Sequence, residues 1–286
     1  MQQKSINSSD NPAVNTSVNC EPLSALKIQS FLSSESLALI DAVDVKQSVN
    51  STNNELLALP INAARARVCM TEAQCAGRGR RGNDWQSAPN KNVMLSLSWG
   101  FEKWPETITG LGLAVALVTV EALNADYDLD VKIKWPNDIM VDNKKLGGIL
   151  IDMAGDSKGG CNVVIGLGLN VHQPDWSFDN ADYQWQDLAG LQVYPDRNVL
   201  IARFIDSWLS MLDEFNQSGF STMVQRWNKL SSYADKQIRI ANTNADSPAP
   251  VVGKMLGVNA DGSLVIEDRA GQAHIISDSN VSVRLV

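Results

Sequence analysis

The spacing of apolar residues changes once along this chain, near Tyr233, and that change divides what it can fold into. Upstream, helical and strand periods are mixed. Residues 198–215, NVLIARFIDSWLSMLDEF, place Leu200, Phe204, Trp208 and Leu212 four apart, with Ile201, Ile205 and Leu209 beside them, as an amphipathic helix requires. Residues 92–99, NVMLSLSW, alternate Val93, Leu95, Leu97 and Trp99 with Met94, Ser96 and Ser98, the pattern of a half-buried strand. Downstream of Tyr233 only short strand-like runs remain: KQIRIAN, VVGKMLGVN, LVIED, AHIISD and VSVRL, parted by ADSPAP, ADGS and RAGQ. That rhythm predicts a small all-β barrel. The expectation is a mixed α/β domain over residues 23–232 and a β-barrel over 233–286.

Residues 1–22 are rich in Ser and Asn and poor in large apolar groups, so they read as disordered. LSALKIQSFL reads as a short amphipathic helix. LALIDAVDVKQSVNSTNNELLAL reads as strand, turn and helix, with Ser51 or Thr52 capping that helix and Glu55 in its first turn. ITGLGLAVALVTVEAL is too long and too apolar for one strand, hence a buried helix. VKIKW and IMV are short strands, and the turn VDNKK leads from the second into LGGILIDM. CNVVIGLGLNV is a strand in which Gly166 and Gly168 leave one face open to a ligand or another backbone. FSTMVQRWNKL closes the first region as a helix.

The chain has 286 residues, 44% of them hydrophobic, and a net charge of −8. That sign repels nucleic acid and anionic membrane surfaces. Cys20, Cys69, Cys75 and Cys161 form no CxxC pair, so they read as reduced thiols. The N-terminus lacks a basic stretch followed by an apolar core, and the longest apolar run, residues 111–120, is too short to cross a bilayer. A cytoplasmic location is the expectation.

Against this acidic background, GRGRRG at residues 77–82 concentrates three arginines and three glycines. Glycine lets a backbone approach a ligand closely, and arginine presents a planar fork to phosphate or carboxylate. A Walker A loop would need Lys and Ser/Thr where Asn83 and Asp84 stand. An RNA-binding Arg-Gly tract would repeat within low-complexity sequence, and this one does not. What remains is a solvated loop or an anion site of another class. A second stretch, KIKWPNDIMVDNKKLGGIL, taken alone is an ordinary hairpin with a Pro-Asn-Asp turn. It groups Lys134, Asn137, Asp138 and Lys145 at strand ends beside glycines. STN at residues 51–53 needs no role beyond a helix cap, and VIGLGLNV lacks the third glycine and following helix of a dinucleotide fingerprint.

STN, EAQCAGRGRRGNDW, KWPNDI, KKLGGIL and VIGLGLNV, in this order and spacing, resemble the biotin protein ligases, over about residues 24–286. The resemblance implies an α/β (α+β) catalytic domain of the biotin/lipoate ligase, class II synthetase-like type, followed by a small SH3-like β-barrel. It implies a two-step reaction with ATP, Mg²⁺ and biotin. Biotin is activated to biotinyl-5′-AMP and then transferred to a lysine of the biotin carboxyl carrier protein of acetyl-CoA carboxylase. Ser51, Thr52, Asn53 and Gln74 match the turn and side chain that hold biotin; Arg78, Gly79 and Arg80 would wrap its carboxyl and the phosphate, and Gly166 and Gly168 would floor its pocket. Trp85, Asn137, Asn170 and Arg284, with Arg80, match the nucleotide side. Lys145, Arg78 and Asp138 are the catalytic candidates: Lys145 would reach the carboxylate and α-phosphate oxygens, and Asp138 would act as base. No metal ligand from the protein is implied beyond Mg²⁺ carried with ATP.

Some members of the family are also repressors, with a winged helix-turn-helix of about sixty residues before the catalytic part. Only about 22 residues precede LSALKIQSFL here, and no recognition helix fits them. DNA binding is therefore not expected, nor membrane binding, and a homodimer is left open. A biotinyl-AMP sensor and a lipoate-type acyl-adenylate ligase are the alternative readings.

Overall fold

The computed structural model describes residues 21–60, 65–101, 108–155, 160–173, 184–242, 250–278 and 281–286. Apart from Glu21 and Pro22, the segment expected to be disordered lies outside the described residues.

The chain opens with helices α1 (Ala25–Phe31) and α2 (Ser34–Leu39). Each starts at a serine, Ser24 or Ser33, whose side chain accepts a backbone N–H of the first turn. Strand β1 (Ile40–Lys46), helix α3 (Thr52–Leu57) and strands β2 (Ala66–Thr71) and β3 (Val93–Phe101) follow. Next come helix α4 (Leu111–Tyr127) and strands β4 (Lys132–Lys134), β5 (Asp138–Val141), β6 (Lys144–Gly155) and β7 (Cys161–Leu169). Helices α5 (Arg197–Ser218) and α6 (Val224–Lys229) lead to β8 (Gln237–Asn242), β9 (Val251–Val258), β10 (Leu264–Glu267), β11 (Ala273–Ile276) and β12 (Val281–Leu285).

Strands β1–β7 form one sheet in the order β1-β2-β3-β7-β6-β5-β4, antiparallel except for β1 with β2. Register decides which side chains share a face, because the strand period is two. Cys69 pairs with Ser96, Ser96 with Gly166, and Gly166 with Leu150; one step along, Met94 pairs with Gly168 and Gly168 with Gly148. The other face carries Val68, Leu95, Leu97, Ile165, Leu167 and Ile149, in one buried cluster with α4 and with Ile201, Phe204, Ile205 and Trp208 of α5. Helix α4 has no polar face because it lies between this sheet and α5. Trp208 settles its indole N–H there on Thr119 Oγ1, 2.9 Å away. Burying a side chain such as Phe204 contributes about 1.5–3 kcal/mol.

Strands β8–β12 form a second, wholly antiparallel sheet in the order β11-β10-β9-β8-β12. Ile238, Ile240, Met255, Leu264, Ile266, Val281 and Val283 join the main buried cluster. Trp135 fastens the two sheets by donating its indole N–H to Gly262 O at 3.0 Å. The mixed α/β architecture and the small C-terminal β region agree with the sequence expectation. The second sheet is consistent with the small β-barrel expected; among the described residues β11 and β12 are its two edges.

Three local expectations change. Leu37, Ala38 and Leu39 end α2 rather than begin a strand, because Ser33 starts a helical turn just before them. Asp138 is the first residue of β5, not part of the turn before it, since it pairs with Lys134 and Gly148. Ser51 is the N-cap of α3 by position but makes no side-chain cap bond; Gln74 Oε1 accepts the Thr52 N–H instead, at 2.9 Å. No helix among the described residues is long and apolar enough to cross a membrane.

Candidate active site

A cavity of about 1080 Å³ opens on the glycine-bearing face of the seven-stranded sheet. Its lining brings together Ser51–Asn53 at the start of α3, Gln74, the 78–86 loop, the β4–β5 turn, Lys145, the β7 glycines, Asn170 and β12. Every candidate residue from the sequence lies on it.

The floor exists because side chains are missing from β7. A Cβ on Gly166 would overlap the Asn53 amide, and one on Gly168 would overlap the Trp85 indole. The open face read from the sequence is thus taken up by two side chains, not by a second backbone. Above it runs a chain of polar contacts. Ser96 Oγ lies 2.7 Å from Thr52 Oγ1 and 2.5 Å from Asn53 Oδ1. Asn53 Nδ2 donates to Asp152 Oδ2 at 2.8 Å, and the Arg78 guanidinium pairs with the same oxygen.

The Arg-Gly loop is a tight hairpin rather than a loose excursion. Gly79 N–H donates to Asn83 O at 2.7 Å, Trp85 N–H to Gly77 O at 2.9 Å, and a 3-10 turn spans Arg80–Gly82. Two successive left-handed residues, Arg81 at φ 59° and Gly82 at φ 74°, reverse it. Arg80 Nη1 reaches Asn137 Oδ1 at 3.3 Å. Burial and the neighbouring Arg81 lower the pKa of Arg80, with Asp138 and Asp278 opposing; a guanidinium stays charged nonetheless.

At the far wall, Asp138 stands between two ammonium groups: Lys145 Nζ is 2.6 Å from Oδ1 and Lys134 Nζ 3.4 Å from Oδ2. Burial pushes the Asp138 carboxyl up, but Lys145 and Lys134 outweigh it and hold the pKa below the ordinary aspartate value. In this arrangement Asp138 is the ionised counter-ion of Lys145 and Lys134. The Lys145 ammonium also lies 5.8 Å from the Trp85 ring centroid. The Lys145 backbone is bonded on both sides to Gln184 and Gln186, and Asn170 Nδ2 reaches Gln186 O at 3.1 Å, so Asn170 braces the wall here.

Six cations line the cavity, Arg78, Arg80, Arg81, Lys134, Lys145 and Arg284, against two acids, Asp84 and Asp138. In a chain of net charge −8 this is a local reversal of sign, suited to an anion with several charges. Among the described residues no three His, Cys, Asp or Glu side chains group to hold a metal ion.

Sequence reasoning did not single out Ser96, Asp152 or Trp185. Trp185 lines the cavity and pairs with Lys145 as an isolated bridge. For Ser96 and Asp152 the available signal was strand alternation: each shares a face with the glycines once register is known.

Residues 45–170 match the biotin/lipoate A/B protein ligase family. The bifunctional ligase/repressor BirA of Salmonella typhimurium is 32% identical over 245 residues, covering 86% of this chain and 73% of that protein. The biotin–[acetyl-CoA-carboxylase] ligase of Mycobacterium tuberculosis is 34% identical over 170 residues, covering 57% and 61%. Among solved structures, the biotin protein ligase of Aquifex aeolicus in complex with biotin and ATP superposes with a TM-score of 0.72 at 21% identity, over 86% of this chain and all of that one.

Proposed function

The chain belongs to the biotin/lipoate A/B protein ligase family, and from that premise we propose that it is an ATP-dependent biotin–protein ligase. The observation that carries the reading is the cation-rich cavity that sets Lys145 beside a neutral polar pocket. The biotin carboxylate attacks the α-phosphorus of ATP, forming the P–O bond of biotinyl-5′-AMP as pyrophosphate leaves. The amine of a carrier-protein lysine then attacks the anhydride carbonyl, an amide forms, and AMP leaves. Names of relatives point to the biotin carboxyl carrier protein of acetyl-CoA carboxylase as that acceptor.

The residues divide by chemistry. Lys145 and Arg80 meet the carboxylate and α-phosphate, where charge accumulates in the first step, and such preplaced donors lower that barrier. Asp138 pairs with Lys145 and aims it. Ser51, Thr52, Asn53 and Gln74 present neutral donors and acceptors suited to a ureido ring, and Trp85 offers an aromatic face to adenine. Arg284 approaches the nucleotide from β12. Mg²⁺ would arrive on the phosphates of ATP, as this ion commonly does. The domain division near residue 233 belongs to the same reading: the first region makes the adenylate, and the second contributes a wall.

The test is biotin-dependent exchange of labelled pyrophosphate into ATP, followed by transfer to carrier protein, run with biotin and with lipoate. A buried polar pocket rejects a ligand that leaves its groups unpaired, so kcat/KM for biotin should exceed that for lipoate by at least about 100-fold. Equal values for the two acids would sink the assignment.

A further inference from the structure

Alternation along β6 places Gly148, Leu150 and Asp152 on the face that carries the site. Gly148 and Leu150 line the cavity, and Asp152 stands at the end of that row. Its Oδ2 alone receives both the Asn53 amide and the Arg78 guanidinium. An amide oxygen only accepts, so the single Ser96 hydroxyl hydrogen goes to Asn53 Oδ1. An ionised carboxylate also only accepts, so the Asn53 nitrogen must face Asp152. The two contacts together admit one orientation of the Asn53 side chain.

The same carboxylate ties down the Arg-Gly loop. Arg78 sits in the hairpin that holds Arg80 and Trp85, and Asp152 sits in the central sheet. Charge-assisted bonds of this kind are roughly twice as strong as neutral ones. Gln74, three residues before that hairpin, is held to α3 through Thr52. The N-terminal side of the loop is thus moored to α3 through Gln74 and to β6 through Arg78.

We infer that Asp152 is a positioning residue of the ligand site, fixing the Asn53 amide with its nitrogen available and mooring the Arg78 loop. The inference rests on the ligase reading above. Asn53 Nδ2 gives one hydrogen to Asp152 and keeps the second for a ligand, so it suits a carbonyl-type acceptor such as a ureido oxygen. Asp152 touches neither substrate in this account; it acts through Asn53 and Arg78.

Asp152→Ala and Asp152→Asn separate its two tasks. Asparagine at this position can still accept from Asn53 but cannot pair with a cation as a charge. For Asp152→Ala, the KM for biotin should rise about tenfold, the usual scale for one charge-assisted bond, and kcat should fall by less than KM rises. Tryptic cleavage after Arg78 should quicken while the melting temperature moves little, because the Arg78–Asp152 pair is partly exposed. For Asp152→Asn, the biotin KM should return most of the way to wild type while cleavage after Arg78 stays fast. An unchanged KM in the alanine variant, or no recovery with asparagine, overturns the inference. So does a KM rise that merely follows a large drop in melting temperature. Wild-type protein with no biotin-dependent turnover would instead mark failure of the ligase reading.

Discussion

Glu72 and Arg197 form an ion pair with side chains 4% and 2% exposed, while Asp138 stands between Lys134 and Lys145, and Lys145 keeps 27% of its side chain exposed. The first cluster is tied to fixed partners, with Arg197 Nε the one donor of it left buried and unmatched among the described residues. Glu72 Oε1 accepts from Leu23 N–H at 2.7 Å, Oε2 from Arg197 Nη1 at 2.8 Å, and Arg197 donates onward to Glu21 O and Asn92 O. It is neutral as a pair and holds the segment before α1, the end of β2 and the start of β3 together. The second cluster opens on the cavity, where Lys145 is within reach of a ligand. A charged cluster that lines a cleft points to chemistry rather than support.

The contrast predicts different kinds of damage. Arg197→Met leaves Glu72 buried without its counter-charge and should cost about 3–5 kcal/mol of unfolding free energy, read by urea denaturation. A loss under about 1 kcal/mol would remove the claim that this pair is scaffold. Lys145→Ala should reverse the pattern. Adenylate formation should lose about 2–4 kcal/mol of transition-state stabilisation, seen as a fall in pyrophosphate exchange, with denaturation midpoints near those of the native chain. Near-normal exchange would erase the distinction between the clusters. Gly166→Ala lies between the two cases, because the added methyl overlaps the Asn53 amide. Overpacking of this kind costs about 1–3 kcal/mol, and here it should appear both in stability and as a raised KM for biotin. A variant with native stability and native KM would show that Asn53 moves aside freely.

Long stretches were legible from the sequence: α5 and β3 carry their own period, and α4 its length and continuous apolar character. So were cavity-lining residues packed into short dense motifs, such as Arg78–Arg80 and Lys145. Leu37–Leu39 were misread because a short apolar run fits strand and helix alike, and a capping serine four residues upstream decided the matter. Asp138 was assigned to a turn because Pro136 and Asn137 look like one, while its role follows from two lysines that converge only in three dimensions. Ser96 and Asp152 belong to different strands, on either side of β7. Their shared face follows from pairing register, a non-local quantity that residue identities do not carry.

Strand β12 pairs with β8 rather than with β11, and its residues 281–284 wall a cavity that begins at Ser51. Contacts between such distant parts of a chain form slowly, since loop closure must come first. A folding intermediate with the central sheet complete would already display Lys134, Lys145 and the Arg-Gly hairpin, yet lack the side that hems a ligand in. Such a species attracts anions without retaining them. During refolding, ligand retention should therefore lag behind the appearance of secondary structure, and the catalytic pocket is a late event in the life of the chain rather than an early one.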